Sequence, residues 1–135
     1  MDSVVGQTLK DIEIICVDDG STDNSLDILR EYAAEDSRIQ IIEQKNAGAG
    51  AARNNGMRYA TGKYLSFLDS DDFFEPRMLE KAYDLAEKDQ ADFVAYKSDQ
   101  YHTDKNQFVP VNWVIRENEI PPYHPFNHRQ MTGNV

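Results

Sequence analysis

The sequence predicts an α/β fold, a Rossmann-type sheet with helices on both faces. Three observations carry that reading. Short, largely apolar runs recur at 12–17, 39–42, 63–68 and 93–96, the first of them β-branched and almost continuously apolar. Segments with a 3.6-residue apolar period separate them. Two of the runs end, with no spacer, in acidic clusters: Asp18-Asp19 after the first, and Asp69-Ser70-Asp71-Asp72 after the third. Runs this continuous suit strands of a largely parallel sheet covered on both faces, and the alternating order implies right-handed crossovers.

In chain order, Ser3 to Val5 reads as the end of a helix stopped by Gly6. After the first strand, a helix of about twelve residues begins near Asp23 or Asn24. Leu26, Leu29 and Ala33 form its stripe, with Ile28 and Tyr32 beside it. Thr22, Asp23 and Asn24 supply N-cap oxygens, so Asp23 reads as a cap. Asp36-Ser37 breaks the helix before the second strand. Residues 49–60 are Ala-rich and suit a helix packed closely on a sheet, although Asn54-Asn55-Gly56 is poor helix material. Pro76 opens a third long helix, with Met78, Leu79, Ala82, Leu85 and Ala86 in period. Beyond Lys97 the pattern weakens. Strands are expected at 108–111 and 113–115, with Pro110 favouring an edge. The well-patterned part is thus 11–97, and 98–135 is poorly patterned.

The chain has 135 residues, 40% of them apolar, which suits one domain with a real core. Twenty-four Asp and Glu face fourteen Lys and Arg, a net charge of −10. Nucleic-acid backbones need clustered basic residues, so a nucleic-acid partner is excluded as an expectation. Three His and one Cys argue against a structural zinc site or a disulfide framework. No apolar run is long enough to cross a membrane, and the N-terminus does not resemble a signal peptide. The expected setting is cytoplasmic.

Open α/β sheets place ligands beyond the carboxyl ends of their strands. If the first and third strands are parallel, Asp18, Asp19, Asp69 and Asp71 share one edge. Converging carboxylates repel unless a cation or a donor-rich ligand compensates them. Oxygen donors favour a hard divalent ion, Mn or Mg, which would in turn hold phosphate oxygens of a substrate. Asp72 reads as a cap for the following helix. Gly48-Ala49-Gly50 is no dinucleotide fingerprint, because Arg53 stands where the third glycine belongs. Arg53 lies one turn into the Ala-rich helix, where its planar fork suits a phosphate or a base carbonyl. Phe67, Phe73, Phe74 and Phe93 read as core, and Cys16 as a small buried hydrophobe. The three histidines lie in poorly patterned chain and are not assigned to catalysis.

Three motifs in order, IICVDDGSTDNS at 14–25, KNAGAGAARNNGM at 45–57 and GKYLSFLDSDD at 62–72, resemble an inverting glycosyltransferase of family 2 with the GT-A fold. The resemblance runs from the first residues to about Tyr96. It implies that Asp19, with Asp18 beside it, contacts the base or ribose of a nucleotide, and that Arg53 lies near that nucleotide. It implies that Asp69 approaches the ribose, and that Asp71, with Asp69, holds the Mn or Mg bridging the diphosphate. The donor would be a UDP-, GDP- or dTDP-sugar, and the acceptor a saccharide or a lipid-linked group. A membrane association of the full-length protein, within polysaccharide biosynthesis, is compatible with it.

The departures from the family pattern are specific. Its usual opening strand, which lies between 12–17 and 63–68 in a 3-2-1-4 sheet, is absent, so the segment is expected to be truncated at both ends. A gap there leaves unpaired backbone groups and an edge prone to self-association. The region of the acceptor-side general base is also absent, so no catalytic base is assigned and the 135 residues alone are expected to be inactive. A nucleotide-binding fragment without turnover is the first alternative. A Mg-dependent phosphotransfer domain is another, but its motif belongs on the leading strand, and here a full β-α-β-α unit precedes it. A response-regulator-like switch would need Thr or Ser and Lys at later strand ends.

Overall fold

The computed structural model describes residues 1–96 and 98–110. The chain divides into two compact units, Met1–Tyr83 and Asp84–Val135. In the first, helix α1 (Asp2–Val5) leads to strand β1 (Ile14–Asp18), helix α2 (Ser25–Glu35), strand β2 (Ile39–Glu43) and helix α3 (Ala49–Met57). Helix α4 (Met78–Asp89) begins in this unit. Strands β1 and β2 are parallel, in the register Ile14↔Ile39 to Asp18↔Glu43. Helix α2 is the crossover between them and packs on both, while α3 packs on β1. The α/β class expected from the alternating pattern is therefore present as a small parallel sheet with its helices.

The buried apolar residues of this unit, Ile14, Ile39 and Ile42, all come from the two strands. Gly56 explains how α3 comes so close. A Cβ at that position would stand 3.1 Å from Val17 Cγ2 and 3.7 Å from Ile15 Cγ2, so the missing side chain lets the helix backbone approach the sheet. At the other end of α2, Asp36 accepts from the backbone N–H and both Nε and Nη2 of Arg38, the last at 2.6 Å. The Arg38 guanidinium, aided by the backbone N–H, holds the Asp36 carboxyl down at about 2. Asn24, not Asp23, is the N-cap of α2 and makes no side-chain cap bond; Asp23 instead closes a local turn just ahead of it, accepting from Ser25 N at 3.0 Å.

Two expected strands do not form. Residues 63–68 and 93–96 belong to no ladder, and β1 pairs only with β2 among the described residues. Strand-like sequence becomes a strand only where a neighbour accepts its backbone groups, and among the described residues no strand pairs with the other side of β1. The same exposure corrects the expected core. Phe67, Phe73 and Phe93 are exposed, Phe67 at 48%, and only Phe74 is partly covered. Cys16 is likewise half-buried, its Sγ 3.9 Å from Met1 Sδ. Among the described residues, Gln7 has the only large side chain that is fully buried. It donates to Ser3 O and Glu75 O, each at 2.8 Å, and accepts from Leu79 N at 3.0 Å. The amide thus satisfies one of the orphan N–H groups at the start of α4 and ties the N-terminal segment to it.

In the second unit, α4 closes in a Schellman arrangement, with Gln90 at φ 51° and Ala91 N donating to Ala86 O at 2.9 Å. An antiparallel hairpin follows, β3 (Asp99–His102) and β4 (Gln107–Pro110), with the Tyr101 and Phe108 rings paired across it at 4.9 Å. The strand expected at 108–111 is the second arm of this hairpin. The one expected at 113–115 lies outside the described residues.

Candidate functional site

Parallel pairing puts the carboxyl ends of β1 and β2 at one edge, and the two loops that leave them are joined there. Gln44 N donates to Asp18 O at 2.9 Å, extending the ladder by one step. Gly20 then turns with φ 75°, and a Cβ on it would stand 2.9 Å from the Asn46 backbone nitrogen. Only glycine allows the two loops to touch at this point.

The two aspartates of the first cluster behave differently. Asp18 is buried, 7% exposed, with Oδ2 accepting from Ser21 N at 3.3 Å across its own turn. Asp19 reaches over to the second loop. Its Oδ1 accepts from Gln44 Nε2 at 2.7 Å and Ala47 N at 2.8 Å, and its Oδ2 from Gly48 N at 2.8 Å. The Gln44 amide, then the two backbone N–H groups, hold the Asp19 carboxyl below its ordinary value. Asp19 is therefore ionised across the neutral range. It organises the loop that leads into α3, whose N-cap is Gly48 at φ 89°.

Arg53 follows one turn later, and Arg53 Nη2 pairs with Asp69 Oδ1 at 2.5 Å. Both side chains are about half exposed. This bond brings residues 69–72, distant in sequence, alongside the helix that starts at the sheet edge. Asp72 N donates to Asp69 O at 3.0 Å and closes that acidic turn, so Asp72 is part of a turn ahead of α4. Asp71 is exposed.

The structure thus links Asp19, Arg53 and Asp69 through two loops and one helix, while Asp18 faces inward. It does not gather all the carboxylates into one cage: among the described residues no three His, Cys, Asp or Glu side chains are grouped to hold a metal. The donor chemistry of Asp69 and Asp71 still fits a hard ion. Two exposed carboxylates two residues apart suit Mg or Mn that keeps water and brings substrate phosphate oxygens as its remaining ligands.

Sequence reasoning missed Gln44 and Asn55. Asn55 Nδ2 donates to Gln44 Oε1 at 2.7 Å, which gives the weak helix former in α3 a partner. The signal was the unfavourable Asn54-Asn55 pair inside an otherwise Ala-rich helix.

A family model for glycosyl transferase family 2 matches residues 1–134. An uncharacterized glycosyltransferase of Bacillus subtilis, EpsJ, is 41% identical over 110 residues, covering 82% of this chain and 32% of that protein. A cholesterol galactosyltransferase of Borreliella burgdorferi is 40% identical over 132 residues, 97% of this chain and 35% of its own length. A chondroitin synthase of Escherichia coli is 37% identical over 121 residues, 88% of this chain and 18% of its own length. The chain spans about a third or less of the length of each of these relatives. Among the described residues, no helix is long and apolar enough to cross a membrane.

Proposed function

Because the chain belongs to glycosyl transferase family 2, we propose that it supplies the donor side of an enzyme that transfers a sugar from a UDP-, GDP- or dTDP-sugar. The acceptor is a saccharide or lipid-linked hydroxyl, and transfer inverts the anomeric centre. The supporting observation is the meeting of three segments at the sheet edge: Asp19 with its loop, Arg53, and the Asp69–Asp71 turn tied to Arg53.

Each residue has a distinct task. Asp19 keeps its loop in shape and offers an acceptor to a base or ribose donor. The Arg53 guanidinium exchanges its Asp69 partner for phosphate or base oxygens of the nucleotide. Asp69 and Asp71 would hold Mn or Mg, which supplies positive charge to the departing diphosphate. The acceptor hydroxyl oxygen forms a bond to the anomeric carbon and gives up its proton to a general base, which no residue here is assigned to supply, as the bond from that carbon to the diphosphate oxygen breaks and the nucleoside diphosphate leaves. Entry from the face opposite the leaving group gives inversion. All the residues assigned here act on the donor. In this reading the reaction takes place in the cytoplasm, at the membrane surface where the acceptor is lipid-linked.

Calorimetry with UDP, GDP and dTDP, with and without Mn, tests this. At least one nucleotide is expected to bind with Mn. Asp71→Ala should abolish that binding, while Asp27→Ala, on the exposed face of α2, should not. Equal binding by both variants would overturn the assignment.

A further inference from the structure

We propose that Gln44 is a positioning residue for the donor site: held from α3 by Asn55, it sets the Asp19 carboxylate and, through it, the loop that receives the nucleotide. The inference rests on the donor-site reading above, and deepens it with two residues that never touch the ligand.

The hydrogen-bond directions leave a single arrangement. An ionised carboxylate only accepts, so the Gln44 end facing Asp19 is the Nε2 amide nitrogen, 2.7 Å away. The Oε1 end then faces α3, where Asn55 Nδ2 donates to it at 2.7 Å. Asp19 passes the constraint on to the Ala47 and Gly48 backbone N–H groups, both at 2.8 Å. Gly48 caps α3, and α3 carries Asn55. The circuit is therefore closed: helix, Asn55, Gln44, Asp19, loop, and helix again.

Two further features fix its ends. The Gln44 backbone is pinned to the ladder through Asp18 O at 2.9 Å, so its side chain starts from a rigid point. Asn55 is held against the sheet because its neighbour Gly56 lies directly on Val17 and Ile15. Asp19 Oδ2 accepts one N–H among the described residues, and a carboxylate oxygen accepts two. The remaining direction is the one a nucleotide donor would use, and Gln44 decides where it points. Helix-poor Asn55 is explained by this circuit.

The test uses three variants of the intact protein: Gln44→Met, Gln44→Glu and Asn55→Ala. Gln44→Met keeps the side-chain length and removes both bonds. It is expected to accelerate hydrogen exchange at the Ala47 and Gly48 amides, with Ile41 unchanged. It should also weaken Mn-dependent binding of UDP, GDP or dTDP by about tenfold. Gln44→Glu keeps the bond from Asn55 and faces Asp19 with a second carboxylate, so it should bind more weakly than Gln44→Met. A role in packing alone predicts the reverse order, because Glu is closer to Gln in shape. Asn55→Ala should weaken binding in the parent protein and have no further effect in the Gln44→Met background. Parent binding that Gln44→Met leaves intact, or additive effects of the two substitutions, would overturn the role of Gln44 alone. A parent protein that binds none of the three nucleotides would overturn the donor-site reading and this role with it.

Discussion

The two acidic clusters look alike in sequence, an apolar run closed by aspartates, and they are wired in opposite ways. Asp18-Asp19 follows a strand in a real ladder. One carboxylate is buried and the other accepts three N–H donors from the neighbouring loop. Asp69 and Asp71 follow a run that joins no ladder; they are exposed, and Asp69 is held through Arg53. The difference teaches that a carboxylate at a strand end takes its task from the donors around it. Where backbone N–H groups are in reach it builds the loop. Where they are not, it stays exposed or takes a charged side chain as its partner, as Asp69 takes Arg53.

The largest expected effect breaks the weaker of the two regions. Downstream of Asp69–Asp72, the chain is secured by Gln7, whose amide bonds to Ser3, Glu75 and Leu79 inside the fold. Gln7→Leu strands two carbonyls and a helix-start N–H. It should cost about 3 kcal/mol, read as the shift in urea unfolding. Hydrogen exchange should rise at Leu79 before it rises at Ile41. A cost under about 1 kcal/mol, or loosening that starts at β1 and β2, would mean that the acidic turn is secured elsewhere.

A smaller effect probes the tighter region by comparing two glycines. Gly20 and Gly48 both have positive φ, 75° and 89°, so a side chain at either is strained. They differ in space: a Cβ on Gly20 meets the Asn46 backbone at 2.9 Å, while one on Gly48 meets nothing within 4 Å. Gly48→Ala should therefore cost about 1 kcal/mol of strain alone. Gly20→Ala should cost about 2 kcal/mol, because backbone and not a flexible side chain must shift. Equal costs, measured by thermal unfolding, would show that the two loops do not need their close contact.

Much of this was legible in the sequence, for physical reasons that can be named. The strands at 14–18 and 39–43 were, because their β-branched runs carry the signal locally and each finds the other as partner. The helix stripes of α2 and α4 were, since they depend on periodicity alone. Residues 63–68 were misread as a formed strand because a ladder depends on a neighbour, which a single run cannot declare. Phe67 and Phe73 were misplaced in the core for the same reason: apolar character says that a residue seeks cover, not that cover exists. Asp19, Arg53 and Asp69, singled out by position in the sequence, are joined in the structure through the loop at 44–48, α3 and the Arg53–Asp69 pair. Asp18, expected beside Asp19, is the last residue of β1 and is buried, its Oδ2 accepting from Ser21 N across its own turn. Gln44 was invisible, because a single Gln after a strand carries no pattern until Asp19 and Asn55 are seen on either side of it.

The smallest effect on stability gives the sharpest test of the comparison. The Arg53–Asp69 pair is short, at 2.5 Å, yet about half exposed on both sides. Solvent screens such a pair, and fixing two side chains offsets part of its attraction. Arg53→Gln should therefore change unfolding stability by no more than about 0.5 kcal/mol. The same substitution removes a planar, permanently charged fork from the part of α3 proposed to meet the nucleotide. Binding of UDP, GDP or dTDP with Mn should fall about tenfold, since charge-assisted bonds to phosphate are stronger than neutral ones. Added salt should narrow the difference between parent and variant. A variant that loses more than about 1 kcal/mol of stability while binding unchanged would reverse the assignment. The acidic turn would then be held for the sake of the fold, as Asp19 holds its loop, and the contrast between the two clusters would disappear.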